Sequence, residues 1–345
     1  MDAFFASVEQ RDAPELKGVP LVVCHDHPRS VVTTASYEAR KYGVRSAMPL
    51  SQAKLRCPHL LVVEPHFQKY KEVSRQIHRI FHRYTDLVEP ISLDEAFLDV
   101  THNKLGIELA VDLAKRVKED IFRETHLTAS AGVSYNKLLA KIASDYRKPN
   151  GIFTVHPDKA LDFIAELPIR KFWGIGPKTA ATMHKMGIYK GEQLRKVSLT
   201  HLVQVFGKMG SVLFDFARGI DNRPVEAYRE RKSVGCEQTF LEDLNTESKV
   251  LIALYHIVIE LVERISKSKF EGHTLSLKIK WNTKSQITRS ITVGKILKTK
   301  DDILPLAKYL LHQTEYRRRT IRLLGLSVSG DASHKWEEGF LDFRE

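Results

Sequence analysis

The chain has 345 residues, 43% of them hydrophobic, and a formal net charge of +12 at pH 7; this length and apolar content predict two or more domains. No apolar run reaches the roughly 18 residues of a membrane span, and residues 1–20 lack a basic stretch followed by an apolar one, so a cytoplasmic protein is expected. Cys24, Cys57 and Cys236 are far apart and follow no metal-ligand spacing, which predicts reduced thiols and argues against a zinc site.

The first half of the chain alternates between helix and strand signals. In chain order, the pattern predicts a helix at 3–12, strands at 21–24 and 31–34, a helix at 37–42, a strand at 60–63, a helix at 67–84, a strand at 97–100, a helix at 107–122, a strand at 128–133 and a helix at 138–144. Interleaved elements of this kind predict a mixed sheet covered by helices.

The second half has two further patterns. Residues 167–217 contain short helical stretches broken by glycines, which predict a small all-helical domain, and the charged segment 224–232 is the best linker candidate. Beyond it, the pattern predicts a strand at 233–240, a helix at 247–267, strands at 273–282 and 286–293, a helix at 301–315 and a strand at 320–328. This βαββαβ order is the ferredoxin-like pattern.

Basic residues are concentrated in the last predicted domain. Residues 231–330 contain 18 Lys and Arg against 10 Asp and Glu, whereas residues 1–230 contain 34 against 27. Such an excess favours a polyanionic partner, of which nucleic acid is the commonest, because contacts to phosphates release counterions. A milder excess would be explained by solubility alone.

A pair of adjacent carboxylates, Asp94 and Glu95, precedes the predicted strand at 97–100. Successive strand residues point to opposite faces, so both carboxylates can reach one metal pair only at a turn or a strand end. Taken alone, an acidic dipeptide is more often a surface feature than a catalytic one. Its surrounding run, Ser-Leu-Asp-Glu-Ala-Phe-Leu-Asp at 92–99, gains meaning from three other runs.

The three companion runs stand in a fixed order along the chain. They are Asp-Ala-Phe-Phe-Ala-Ser-Val-Glu at 2–9, Thr-Ala-Ser-Tyr-Glu-Ala-Arg-Lys-Tyr-Gly-Val at 34–44 and Ala-Ser-Asp-Tyr-Arg-Lys-Pro-Asn-Gly at 143–151. Together the four runs resemble those of the Y-family DNA polymerases, in the family's order and at its spacing. The resemblance covers nearly the whole chain and is closest to the bacterial members.

This resemblance implies an α+β multidomain fold with the architecture of a right-hand polymerase. The implied parts are a catalytic palm with a mixed sheet at 1–10 and 66–160, small fingers at 11–65, an all-helical thumb with a helix-hairpin-helix at 161–222, a linker at 223–232, a DNA-binding βαββαβ little-finger domain at 233–330 and a tail at 331–345. The run Arg-Lys-Ser-Val-Gly at 231–235 matches the family's entry into the little finger.

The resemblance also implies the chemistry. Asp94 and Glu95 would be the catalytic ligands of two Mg²⁺ ions that bridge the primer 3′-hydroxyl and the incoming triphosphate, with the Met1 backbone carbonyl as a further metal contact. In the family, another metal-binding aspartate stands immediately before the position of Met1, at the end of a first strand. We therefore expect this chain to lack that strand and to be impaired, since Asp2 does not normally replace the missing ligand.

Phe5 matches the family's steric gate, whose ring lies where a ribose 2′-hydroxyl would project. A clash with that hydroxyl would make the site select deoxynucleotides. Without the resemblance, both Phe4 and Phe5 would be read as residues that pack the first helix against the core.

Four residues match the family's triphosphate-binding set: Tyr37, Arg40, Lys148 and Thr34. Tyr37 and Arg40 are three residues apart on a short predicted helix and therefore share a face. Guanidinium and ammonium groups neutralise phosphate. On the residues alone, Arg40 would be an ordinary exposed charge and Lys148 the end of a helix before a proline.

The run Trp-Gly-Ile-Gly-Pro-Lys-Thr-Ala at 173–180 looks like a helix-hairpin-helix turn. Gly174 and Gly176 would let backbone N–H groups approach a DNA phosphate at a helix N-terminus, beside Lys178. Contacts of this kind do not depend on base sequence. The run Phe-Gly-Lys-Met-Gly at 206–210 is a candidate second hairpin.

The expected function is template-directed, low-fidelity synthesis past damaged bases by a monomer that binds primer-template DNA and deoxynucleoside triphosphates. Two alternatives stay open: a DNA-gripping protein without catalysis, and a helix-hairpin-helix repair nuclease or glycosylase, which leaves Phe5, Tyr37 and Arg40 unexplained. The run Gly-Phe-Leu-Asp-Phe at 339–343 is similar to the peptide with which bacterial polymerases bind the sliding clamp, although it lacks the leading glutamine. A frayed acidic terminus is the other interpretation of this tail.

Overall fold

The structure is a computed structural model that describes residues 1–330. The chain divides into two compact units, Met1–Tyr228 and a second that starts at Arg229. This boundary lies within the predicted linker at 223–232. None of the helices within residues 1–330 combines the length and the apolar character needed to cross a bilayer.

The first unit begins with a region in which helices and short strands alternate. Its elements are α1 (Phe4–Asp12), β1 (Leu21–Val23), β2 (Thr34–Ala35), α2 (Tyr37–Lys41), α3 (Leu50–Arg56), β3 (Leu61–Val63), α4 (Phe67–Phe81), β4 (Val88–Pro90), β5 (Ala96–Leu98), α5 (Ala110–Thr125), β6 (Ala131–Val133), α6 (Lys137–Ser144) and β7 (Ile152–Thr154). Five helices follow: α7 (Pro157–Glu166), α8 (Pro177–Lys185), α9 (Gly191–Lys196), α10 (Leu199–Phe206) and α11 (Lys208–Phe216).

The strands of the first unit form three small sheets. In one, β1 pairs antiparallel with β2 and parallel with β3; the others are the antiparallel hairpin β4–β5 and the parallel pair β6–β7. The pattern analysis missed β4, which contains Glu89 and Pro90, and β7, which directly follows the turn signal Pro-Asn-Gly at 149–151. It also missed α3 and α7; α7 begins with Pro157 in its first turn, where proline is well tolerated.

The predicted strand at 31–34 is wrong at residues 31–33. Only Thr34–Ala35 belongs to a strand, and Val31 makes an isolated bridge to Pro49. The N–H of Val32 donates to the carbonyl of Met48 at 2.9 Å, so this segment pairs with a loop. The β-branched residues of this segment do not mark a strand, and Val32 is buried at 1% exposure whereas Val31 is 50% exposed.

Amphipathic helices build the core around the strands. In α4 the buried residues Val73, Ile77 and Ile80 recur at helical spacing, and α5 buries Leu113 and Val117 in the same way. Both helices pack into one apolar cluster with α1 and β1. This packing fixes the elements that carry the candidate catalytic residues.

The second unit has the predicted βαββαβ order. Its elements are β8 (Ser233–Leu244), α12 (Glu247–Ser268), β9 (Thr274–Trp281), β10 (Gln286–Thr292), α13 (Lys300–His312) and β11 (Ile321–Ser329). The sheet order is β10-β9-β11-β8, with every neighbouring pair antiparallel. Consequently β8 and β9 run parallel with β11 between them, and β10 and β11 run parallel with β9 between them, which makes a double split β-α-β arrangement.

The sheet of the second unit has one apolar face and one polar face. Strand β9 alternates strictly, with Leu275, Leu277, Ile279 and Trp281 buried in a single core with α12 and α13. The intervening positions are serine, threonine and lysine, partly exposed on the opposite face. This face therefore offers hydroxyls and cations to a ligand.

We expect Asp302→Asn to destabilise the second unit by about 1 kcal/mol at pH 7, the usual value of a helix cap. Asp302 accepts from Lys295 Nζ at 2.7 Å and from Thr299 N at 2.9 Å. These hydrogen bonds hold the pKa of Asp302 well below its ordinary value of about 3.8. The stabilisation is thus complete above that value and is lost as the pH falls towards the folded-state pKa.

The measurement is urea unfolding of the original chain and the variant between pH 7 and pH 3. The difference in the free energy of unfolding between the original chain and Asp302→Asn should become smaller as the pH falls through the ordinary pKa of the aspartate. Asp301→Asn is the matched control, because its side chain is 91% exposed and its nearest cation is 3.7 Å away. An Asp302→Asn deficit that stays constant with pH would contradict the capping argument.

Candidate active site

The β4–β5 hairpin presents the two adjacent carboxylates at its turn. Asp94 and Glu95 immediately precede β5, and the N–H of Ile91 closes the hairpin on the carbonyl of Glu95 at 2.8 Å. Ser92 Oγ donates to Asp94 Oδ1 at 2.9 Å. Both carboxylates therefore belong to a turn at a strand end, the geometry in which successive side chains can converge on one site.

Each carboxylate lies beside an ammonium group. Lys141 Nζ of α6 is 2.7 Å from Glu95 Oε1, and the Met1 amine is 3.6 Å from Asp94 Oδ2 and donates to the Asp94 carbonyl at 2.9 Å. Within residues 1–330, no three His, Cys, Asp or Glu side chains gather as a metal site on their own. Two carboxylates nevertheless suit Mg²⁺, which proteins commonly hold with one or two carboxylates, waters and substrate phosphates.

A cavity of about 210 Å³ opens beside this turn. Its polar end is lined by Met1, Asp94, Glu95, Lys141 and Lys148. Its apolar walls come from α5 and from three consecutive residues of each of β5 and β6. Consecutive residues of a strand point to opposite faces, so a cavity lined by three in a row contacts the edge of the strand and not one of its faces.

Asp2 has a structural role. It is 2% exposed, and its carboxylate accepts from Thr128 Oγ1 at 2.8 Å, from Ser130 Oγ at 2.7 Å and from the N–H of Asn150 at 2.8 Å. These donors occupy both oxygens. Asp2 thus ties α1 to β6 and to the start of β7, in keeping with the expectation that it does not replace a metal ligand.

We expect Asp2→Ala to lower the free energy of unfolding of the first unit by about 3 kcal/mol, because it removes a buried carboxylate that accepts three partly buried hydrogen bonds. Urea unfolding followed by circular dichroism measures this. Asp12→Ala is the control: Asp12 pairs with Arg11 and Lys69 near the surface, and such pairs contribute less than about 1 kcal/mol. Equal losses in both variants would contradict the structural role.

Of the predicted triphosphate residues, Lys148 lines this cavity, whereas Thr34, Tyr37 and Arg40 do not. The hydroxyl of Tyr37 is buried and has no hydrogen-bond partner within the described residues. Burial and the nearby carboxylates of Asp2 and Asp145 raise the pKa of Tyr37, against the opposing effect of Arg40. The guanidinium of Arg40 lies 4.7 Å from the centre of the Tyr37 ring, and Lys148 Nζ is 3.2 Å from Asp145 Oδ1.

Thr34 opens β2 and pairs with Val23 of β1, two residues before the N-cap of α2. Ser36 forms that cap by accepting from the N–H of Ala39 at 3.2 Å. The short strand, the cap and the helix hold Thr34, Tyr37 and Arg40 in one continuous local unit.

Phe5 is partly buried within an aromatic group. Its ring stacks on Tyr70, with 4.1 Å between ring centres and 12° between planes, and meets Phe67 edge-on at 5.9 Å. Tyr70 is fully buried, and its hydroxyl donates to Glu9 Oε1 at 2.5 Å. Phe4, by contrast, is 4% exposed and belongs to the core. The structure thus separates the two phenylalanines that sequence periodicity alone could not distinguish.

The predicted phosphate hairpin does not line the cavity. Gly174 has φ +86°, a left-handed conformation that favours glycine, and Gly176 is the N-cap of α8. Gly176 is exposed and a side chain there would meet open space, so its backbone N–H is accessible, and Lys178, the second residue of α8, is exposed as well. A helix N-terminus with an exposed lysine can bind a phosphate.

Two residues of the hairpin site were missed by the sequence analysis. Lys141 is the partner of Glu95, and Ser92 is the partner of Asp94. Lys141 precedes Lys148 by two helical turns, which was the available signal, and Ser92 stands within the quoted run at 92–99. Only the packing of α6 on β6 shows that Lys141 reaches the hairpin: a Cβ on Gly132 would lie 1.9 Å from the carbonyl oxygen of Ala140.

Comparisons with known proteins agree with this arrangement. The model of the impB/mucB/samB family matches residues 1–145, that of the family's C-terminal domain matches residues 231–337, and that of the IMS family HHH motif matches residues 157–188. The chain belongs to this family, the Y-family DNA polymerases, and is a DNA-directed DNA polymerase that carries out low-fidelity translesion synthesis.

Among its relatives is the DNA polymerase IV of Bacteroides fragilis (strain YCH46), 58% identical over all of this chain and 96% of the relative. The DNA polymerase IV of Akkermansia muciniphila is 55% identical over 99% of this chain and 96% of the relative.

Solved structures show the same fold. A Y-family DNA polymerase chimera, Dbh-Dpo4(243-245)-Dbh, is 30% identical over 95% of this chain and 96% of its own, with a TM-score of 0.85. An insertion ternary complex of Dbh DNA polymerase is 29% identical with the same coverage and a TM-score of 0.65. These likenesses confirm the right-hand polymerase architecture that the four sequence runs implied.

Proposed function

We propose that this polymerase performs nucleotidyl transfer at the β4–β5 turn, where Asp94 and Glu95 hold Mg²⁺. The observation that carries the proposal is the pair of carboxylates on a turn beside a cavity that Lys148 also lines. Two ions would stabilise the charge that develops on the attacking primer hydroxyl and on the leaving pyrophosphate. The Met1 backbone carbonyl would be a further ligand.

The other residues would position the substrates. Arg40 and Lys148 would neutralise the triphosphate, and the unpartnered hydroxyl of Tyr37 would donate to one of its oxygens. Thr34 would contribute a hydroxyl beside them. Phe5 would exclude a ribose 2′-hydroxyl with the exposed part of its ring.

Primer-template DNA would be held at two further places. Gly174, Gly176 and Lys178 would contact a backbone phosphate, and the polar face of the second unit's sheet would contact others through its hydroxyls and lysines. We propose a cytoplasmic monomer. The predicted clamp-binding run at 339–343 lies outside the described residues, and clamp binding stays a proposal based on its sequence.

The test is primer extension with Mg²⁺, a primed template and four deoxynucleotides. It should be run with the chain as given and with a form that carries an upstream strand ending in aspartate. We expect templated extension that requires Mg²⁺, the primed template and the deoxynucleotides. No extension by either form, together with tight binding to DNA, would support the non-catalytic alternative. Shortening of the labelled strand without nucleotides would support the nuclease alternative, against which family membership already argues.

A further inference from the structure

The start of the predicted linker is bonded to the first unit by a buried ion pair. Lys137, the first residue of α6, lies 2.6 Å from Glu89 of β4, and their side chains are 8% and 17% exposed. Lys137 Nζ also donates to the carbonyl of Pro224 at 2.9 Å. The same Glu89 oxygen accepts from the N–H of Glu226 at 2.9 Å. Lys137 and Glu89 therefore grip residues 224–226 through the backbone.

Further interactions hold Lys137 and Glu89 in place. Burial alone would raise the pKa of Glu89, but the hydrogen bonds from Lys137 and from the N–H of Glu226 outweigh it, and the pKa of Glu89 lies below its ordinary value. Lys137 also lies 5.4 Å from the ring centre of Phe97 in β5. Because β4 and β5 form the hairpin of Asp94 and Glu95, the linker is bonded to the same hairpin that presents the candidate metal ligands.

The segment that follows residues 224–226 is exposed. Residues 227–232 are all exposed up to the first residue of β8, and Tyr228 is 85% exposed. The exposed tether between residues 224–226 and β8, the first strand of the second unit, is therefore six residues long. If residues 224–226 were released, the tether would grow to nine residues, since Asp221 and Arg223 remain paired at 2.7 Å and Asp221 accepts from the N–H of Leu138.

We propose that Lys137 and Glu89 are positioning residues that dock residues 224–226 on the catalytic hairpin and so keep the tether to the second unit short. A flexible chain spans about 13 Å with six residues and about 16 Å with nine. This inference rests on the proposed function, in which both units contact one primer-template. Once one unit is bound to the DNA, lengthening the tether from six to nine residues lowers the effective concentration of the other unit at its own DNA contact about twofold. Docking thereby strengthens the grip on DNA without a further contact to it.

The test uses the full chain with Lys137→Met and Glu89→Leu combined. This double change removes both charges, so it leaves no buried ion without a partner. Asp86→Asn is the control, since Asp86 pairs with Lys104 at the surface just before β4. Two experiments are made. The first measures amide hydrogen exchange across residues 219–232, and the second measures the affinity for a fluorescent primer-template, the KM for DNA and the kcat of extension.

We expect exchange at Glu226 to rise at least about tenfold in the double variant, because its acceptor is gone. DNA affinity should fall about twofold with an equal rise in KM for DNA and an unchanged kcat, and the control should behave as the original chain. Deleting three residues from 227–232 in the double variant should restore the affinity.

If amide hydrogen exchange at Glu226 is unchanged in the double variant, residues 224–226 are not docked by Lys137 and Glu89. If exchange rises but the affinity for primer-template is unchanged, the docking does not control DNA binding through the length of the tether. The exchange measurement contains no DNA, so it decides the docking even if the proposed function fails. Failure of that function would be recognised separately, as the absence of primer-template binding by the original chain.

Discussion

Replacement of Asp94 by asparagine is expected to lower the rate of primer extension by about 10³-fold, the effect of losing several kcal/mol of charge stabilisation by bound metal. The change keeps the size of the side chain and its contact with Ser92, which is 2.9 Å long, so the hairpin should persist. Glu95→Gln should act in the same direction, since it removes the second carboxylate beside the cavity. The measurement is single-turnover extension by whichever form of the chain extends primers.

Asp99→Asn is the matched control for both variants. Asp99 belongs to the same run, but its carboxylate accepts from the N–H of Thr101 at 3.0 Å and does not line the cavity. Binding of primer-template should be unchanged in all three variants, because these carboxylates are not proposed to contact the DNA backbone. Extension by Asp94→Asn at the rate of the control would remove Asp94 from the proposed chemistry.

Replacement of Phe5 by alanine is expected to raise the incorporation of ribonucleotides relative to deoxynucleotides by about 10- to 100-fold. A forced overlap in a packed site costs about 1–3 kcal/mol, and each 1.4 kcal/mol corresponds to a factor of ten. The stacking on Tyr70, with 12° between the ring planes, keeps the Phe5 ring from turning away from such an overlap. The measured quantity is the ratio of kcat/KM for the two sugars opposite the same template base.

The control for this prediction is Phe67→Ala. Phe67 meets Phe5 edge-on and is 47% exposed, so its removal changes the aromatic group without removing the proposed gate. Its sugar discrimination should stay within about twofold of the original chain, because the Phe5 ring keeps its stacking on Tyr70. If the two alanine variants discriminate equally, Phe5 is a packing residue only.

Much of the fold followed from the residues alone. The strict alternation from Leu275 to Trp281 predicted a half-buried strand, and the helical spacing of Val73, Ile77 and Ile80 predicted α4, because one-sided burial imposes a period on the sequence. Strand β4 left no such signal because it contains Glu89 and Pro90, and β7 left none because it directly follows the turn residues 149–151. This is why β4 and β7 escaped the prediction although they support the hairpin and α6.

Some residues of the candidate site were predicted from the sequence, and others were not. Asp94 and Glu95 were found because the four ordered runs carry them, and the family comparison confirmed the class of enzyme to which those runs belong. The roles of the single residues stay predictions that the experiments above address. Lys141 could not be found because its partner Glu95 is 46 residues away in the sequence, whereas Ser92, two residues from Asp94, stood within the quoted run.

The sequence by itself determined the period and order of the long elements, the basic character of the last domain and the acidic pair, because these are properties of neighbouring residues. Only the tertiary structure decided that Asp2 is spent on structural hydrogen bonds, that Phe5 and not Phe4 keeps part of its ring outside the core, and that Lys137 and Glu89 hold the linker. Those outcomes depend on atoms brought together from distant parts of the chain, and burial, which sets the strength of each contact, exists only once the chain has packed.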